Sequence, residues 1–123
     1  MNMLKSLITK EENRNKNMIE EYKIELMTLP KGSIRKKKIK NHIYYYLVFR
    51  EKDKIISKYI GKDEKTILLV KEKLVRRKQI EEILKKLNEE KMQINKLEAL
   101  LWSYTMVVIW LLTNLCLLSK IDF

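Results

Sequence analysis

The sequence predicts an α+β fold: an N-terminal helix, a three-stranded antiparallel β-meander, a long coiled-coil-like helix, and an apolar C-terminal helix of transmembrane length. Three observations predict it. Apolar residues recur every three or four positions before Pro30 and after Gly61, the period falls to two between them, and a later stretch runs 21 residues without a charge. Two Gly and one Pro in 123 residues, with 35% charged, favour long helices and leave room for one small domain plus an extension.

Residues 1–29 place Leu4, Leu7, Ile8, Met18, Ile19, Tyr22, Leu26 and Leu29 along one side of an amphipathic helix. Thr9-Lys10-Glu11-Glu12 has the form of a capping box, in which a Thr oxygen and a Glu three residues on satisfy reciprocal backbone donors, so a restart near Ile8 is expected. Leu29-Pro30-Lys31-Gly32-Ser33 ends the helix, because Pro disfavours helix in the residue before it and Gly permits positive φ.

Residues 30–62 read as the meander. On its central strand Ile43, Tyr45, Leu47 and Phe49 share one face, and Tyr44, Tyr46, Val48 and Arg50 share the other. Alternation alone leaves open which face is core. Partner strands are expected at 33–40 and 54–60, with turns at Asn41-His42 and Glu51-Lys52-Asp53 and a close at Gly61.

Residues 63–98 begin with Asp63 as a helix cap. From Ile80 the positions 80, 83, 87, 90, 94, 97 and 101 form a heptad seam broken only by Glu90. It serves either a hairpin against residues 10–29 or a homodimer. The hairpin is preferred, since a small sheet cannot cover so long a seam.

Residues 99–119, ALLWSYTMVVIWLLTNLCLLS, match the ~20 apolar residues that cross a bilayer core. Trp102 and Tyr104 sit near one end, as interfacial aromatics do, while Ser103, Thr105, Thr113 and Asn114 are polar exceptions. A buried core helix is the alternative, and the chain is small to wrap one. With a short polar end at 120–123, the expectation is a tail anchor in a bacterial inner membrane with the basic part in the cytoplasm. The start, MNMLKSLITKEENRN, lacks a signal-peptide core. The lone Cys116 cannot form an internal disulfide and is expected to be buried and inert.

Charge carries the functional reading. Residues 31–62 hold eleven Lys and Arg against two acids, which is +9 of the chain's net +11. Arg35, Lys36, Lys37, Lys38, Lys40, Arg50, Lys54 and Lys58 are candidate phosphate contacts, with Tyr44 and Tyr46 as stacking surfaces for DNA or RNA. The same lysines also guard strand edges against aggregation, and they suit an acidic protein or anionic lipid headgroups. No catalytic residue, metal or cofactor is expected. His42 is alone in its predicted turn, no Gly-rich phosphate loop or nucleophile elbow occurs, and helical Lys neighbours account for most carboxylates.

The segment LPKGSIRKKKIKNHIYYYLVFREKDKIISKYIGKDE resembles a family of small bacterial proteins that combine LPKGS, a basic strand, a YYYL-like strand, an Arg and an SKYIGK-like close with a Lys/Glu-rich coiled-coil helix. The likeness covers about residues 25–100. It implies a fold more than a chemistry, and a setting in mobile elements, defence loci or toxin–antitoxin neighbourhoods. The meander is also similar to the arm-type three-stranded DNA-binding domains of phage integrases, in which a sheet enters the major groove. Together these imply a non-enzymatic nucleic-acid-binding or regulatory module, antitoxin-like. The alternatives are a phage-encoded inhibitor of a nucleic-acid-guided defence nuclease and a membrane-anchored adaptor with a lipid-facing sheet. The apolar tail departs from both patterns.

Overall fold

The computed structural model describes residues 2–121; the last two residues of the expected polar end, Asp122 and Phe123, lie outside the described residues. Helix α1 (Asn2–Thr28) leads into strands β1 (Ser33–Ile39), β2 (His42–Glu51) and β3 (Lys54–Gly61), followed by helix α2 (Glu64–Ile121). The sheet is antiparallel in the order β1-β2-β3, so the α+β meander stands as predicted.

Helix α1 ends before Pro30 as expected, and α2 is longer than either of the two helices expected after Gly61. No Gly or Pro falls between Glu64 and Ser119, so the change from charged to apolar residues near Glu98 does not interrupt α2. The expected break near Ile8 is also absent. Thr9 does not cap a helix start: its hydroxyl donates to the Lys5 carbonyl at 2.9 Å, as a Thr inside a helix does. Asp63 does hold the cap position of α2, its carbonyl accepting the first helical bond from the Ile67 N–H at 3.1 Å.

The chain forms two compact units, Ile19–Lys86 and Met1–Met18 with Leu87–Phe123. In the first, Ile19, Leu47, Ile67 and Ile80 are buried. Leu47 belongs to the odd-numbered face of β2, and Tyr45, Phe49, Ile34 and Ile56, which share that face by register, are half-buried. Leu47, the one strand residue buried outright, marks that face as the core side; half-buried Tyr44, Tyr46 and Val48 and exposed Arg50 are on the other, uncovered side.

The first hairpin turn sits one residue before the expected Asn41-His42, and the second lies within the expected Glu51-Lys52-Asp53. Lys40 and Asn41 (φ 47° and 58°) make the first, and Lys52 and Asp53 (φ 45° and 65°) the second. Positive φ at both central residues is the type I′ geometry that matches strand twist. Consequently His42 opens β2 instead of lying in a turn, and Glu51 closes it. Gly32, at φ 120°, passes so close to β2 that a Cβ would strike the Val48 carbonyl and the Phe49 Cβ.

The end of α1 is held by Arg77. Its Nη1 donates to the carbonyls of Leu26 (3.2 Å) and Leu29 (3.0 Å), and its Nε donates to Glu81 at 3.0 Å. Helix C-termini leave carbonyls without intrahelical partners, and here a guanidinium with only 19% side-chain exposure supplies them. Beside it Arg76 forks onto Glu25 at 2.7 and 3.1 Å, a hydrogen-bonded pair that holds the Glu25 carboxyl below its usual range.

In the second unit α1 packs antiparallel on α2. Asn15, 2% exposed, donates from Nδ2 to the Leu87 carbonyl at 2.9 Å, and Lys5 Nζ lies 5.5 Å from the Trp102 ring centroid. Leu87, Ile94 and Leu101 of the predicted seam are buried or half-buried, whereas Leu97 is 53% exposed. Cys116, expected to be buried, is exposed, because no other described segment of the unit covers that turn of α2.

Replacement of Arg77 by Ala is expected to cost about 2 kcal/mol in denaturant unfolding of the detergent-solubilised chain, the scale of charge-assisted bonds to partly buried acceptors. Lys in its place should recover less than half, since one ammonium lacks the planar fork that reaches both helices.

Candidate nucleic-acid interface

The uncovered face of the sheet is built by register. Arg35 pairs with Tyr46, which pairs with Tyr59, and these three form one row across the sheet. Lys37 pairs with Tyr44 in the next row, and Arg50 with Ile55 in a third. Directly paired residues point to the same side, so Tyr44, Tyr46 and Tyr59 share this face with Arg35, Lys37 and Arg50.

The tyrosines touch one another. The Tyr46 and Tyr59 ring centroids are 5.5 Å apart and those of Tyr44 and Tyr59 6.2 Å, both tilted; His42 meets Tyr44 edge-on at 6.5 Å. Such contacts hold half-buried Tyr44 and Tyr46 and exposed Tyr59 in one aromatic strip. Lys62 Nζ lies 4.9 Å from the Tyr44 centroid, a cation–π distance.

Tyr59 and Lys62 were not among the residues singled out from sequence. Tyr59 needed the register, and Lys62 needed a bulge. Tyr46 faces Tyr59 while Tyr45 faces Gly61, so Ile60 is an extra residue in β3. Regular pairing would have put Lys62 on the core side. One inserted residue flips everything after it, and so Lys62 arrives over Tyr44.

The candidate residues divide by face. Arg35, Lys37, Tyr44, Tyr46 and Arg50 come together on the uncovered side. Lys36, Lys38, Lys54 and Lys58 fall on the Leu47 side, exposed along the two outer strands; Lys36 Nζ stands 5.8 Å from the Tyr45 ring centroid and Lys54 opposes Glu51. Lys40 sits in the first turn.

No strand residue of the uncovered face is a carboxylate. Among the described residues the three ion pairs, Arg14 with Glu11, Arg76 with Glu25 and Arg77 with Glu81, all lie on helices, so Arg35, Lys37, Arg50 and Lys62 keep their charge uncompensated by a close partner. The arrangement offers four cations around a three-ring strip. Phosphate neutralisation and base stacking are the chemistry it suits.

A family model described as a domain of unknown function, DUF6788, matches residues 4–68, which takes in nearly all of α1, the whole sheet and the first turn of α2. Comparison with curated proteins and with solved structures finds no match.

Deletion of Ile60 is expected to remove the bulge while Gly61 stays opposite Tyr45, so that Lys62 keeps its place over Tyr44. In NMR spectra of the deletion variant the Lys62 side-chain protons should keep the upfield shift that the Tyr44 ring gives them, whereas Tyr44→Leu should return them to ordinary values while the strand signals persist.

Proposed function

We propose, from the premise that this chain belongs to the DUF6788 family, that it is a non-enzymatic module that holds single-stranded nucleic acid on the uncovered face of its sheet. One observation carries the reading: Arg35, Lys37, Arg50 and Lys62 surround the Tyr44, Tyr59 and Tyr46 strip with no carboxylate among the strand residues of that face. A surface shaped only for solubility mixes both signs of charge. Single strands are favoured over duplex because an aromatic ring stacks on a free π-face, and only an unpaired base has one to offer.

Binding of fluorescein-labelled random single-stranded DNA and RNA to the full chain in detergent tests this. Combined Arg35→Glu and Lys37→Glu changes are expected to weaken affinity at least tenfold at low salt and to flatten the salt dependence by about two phosphate contacts, roughly 1.4 in the log–log slope. Lys54→Glu with Lys58→Glu, on the other side, should change it far less. Equal losses from both pairs would leave only diffuse attraction, and unchanged binding in both would turn attention to an acidic protein surface.

We also read residues 99–119 as a membrane span that keeps the basic residues on the cytoplasmic side, as positive-inside bias favours. An 18-residue window of α2 reaches a mean hydropathy of 1.7 with none of it buried, long and apolar enough to cross a membrane and not serving as a core helix for the described residues. The full chain should stay with membranes through an alkaline carbonate wash, and removal of 99–119 should release it. Extraction of the full chain by carbonate contradicts the span.

A further inference from the structure

Within the span, α2 carries a second seam that its own chain leaves open. Leu100, Tyr104, Val107, Leu111, Asn114 and Leu118 step by four and three along one side of the helix. Leu101, Thr105 and Val108, half-buried, lie on the neighbouring side, where α1 packs. The five apolar and aromatic members of the open seam are 49–65% exposed, and Asn114 is half-buried.

Asn114 is the one amide in the span. The hydroxyls of Ser103, Thr105, Thr113 and Ser119 each donate to a carbonyl of the preceding turn and so need no other partner. Among the described residues the Asn114 amide makes no such bond, and lipid chains offer neither donor nor acceptor. A single polar residue in an otherwise apolar heptad is the arrangement that fixes register between helices.

We infer that Asn114 pairs with Asn114 of a second copy, and that the seam is the interface of a parallel homodimer. A carboxamide is self-complementary, since each one donates and accepts once to the other. Copies inserted by the same sequence cross the bilayer in the same direction, which brings each seam position opposite itself. The seam is also continuous with an existing contact: Leu100, Tyr104 and Val107 form one wall of an open groove whose other wall is Leu4 and Ile8 of α1. The inference rests on residues 99–119 spanning the membrane. It is distinct from a dimer through Ile80 and Leu87, which are buried within the chain's own units.

Cysteine cross-linking of the full chain in phosphatidylcholine vesicles tests it. Cys116 lies on the side of the helix away from the seam, so the native chain is expected to give no disulfide dimer on mild oxidation. In a Cys116→Ser background, Val107→Cys, Leu111→Cys and Leu118→Cys should cross-link, and Ile109→Cys should not. Asn114→Leu is expected to weaken association about tenfold in titrations of protein against lipid, with Asn114→Gln close to native. Floating vesicles that hold only monomer at every protein-to-lipid ratio, or cross-linking equal around the helix, overturn the dimer alone. Protein that fails to float with the vesicles overturns the span and the dimer together.

Discussion

The guanidinium of Arg77 is the constraint on which the sheet's position depends. It donates to Leu26 and Leu29 at the end of α1 while its Nε is fixed by Glu81 on its own helix, so the last turn of α1 is tied to α2 at the point where the chain leaves for β1. Three residues later Gly32 passes against Val48 and Phe49 with no room for a side chain. Between those fixed points Pro30 removes a donor and restricts its neighbour. The connection therefore has little freedom left, and β1 starts in one register.

That economy matters because the sheet has little core of its own. Three short strands are marginal without packing on one face, and only Leu47 of the strand residues is buried outright. The helical segments of the same unit contribute Ile19, Ile67 and Ile80, so most of the apolar burial is helical and the sheet needs only one side for it. Its other side is left free to be aromatic and basic. In the other unit the buried seam admits Asn15, whose bond to the Leu87 carbonyl is available only in one alignment of the helices. A polar seam residue of this kind gives up some stability for a unique register.

The fold was legible where a period was long enough to read. The helices, the meander and the seam at Ile80, Leu87, Ile94 and Leu101 all follow from spacing. The first turn was displaced by one residue because Lys40-Asn41 lacks the glycine that usually marks a type I′ turn, whereas Lys52-Asp53, which lacks it too, lies within the expected Glu51-Lys52-Asp53. Thr9 misled because the same residue types that cap a helix also bond backwards inside one. Of the candidate site, five residues were both foreseen and brought together. Tyr59 and Lys62 were not: Tyr59 needed the pairing of β3 with β2, and the side taken by Lys62 is decided by the unpaired Ile60, which no local pattern announces. Leu97 shows the limit of a heptad reading: it keeps the spacing yet stays exposed, while half-buried Thr105 and Val108 continue the contact with α1.

The division of basic residues between the two faces bears on why so many are there. Both outer strands are open edges, and Lys36, Lys38, Lys54 and Lys58 run along them on the Leu47 side, where they discourage another strand from pairing. That role asks for charge but for no particular neighbour. Arg35, Lys37, Arg50 and Lys62 are different, because an edge needs neither a ring contact between Tyr46 and Tyr59 nor a bulge that delivers a lysine to Tyr44. Bulges weaken the ladder locally, and the strip leaves Tyr59 51% exposed. Features that cost stability appear together on one face, with unpaired cations around them, and they are the features that the proposed single-stranded ligand would contact.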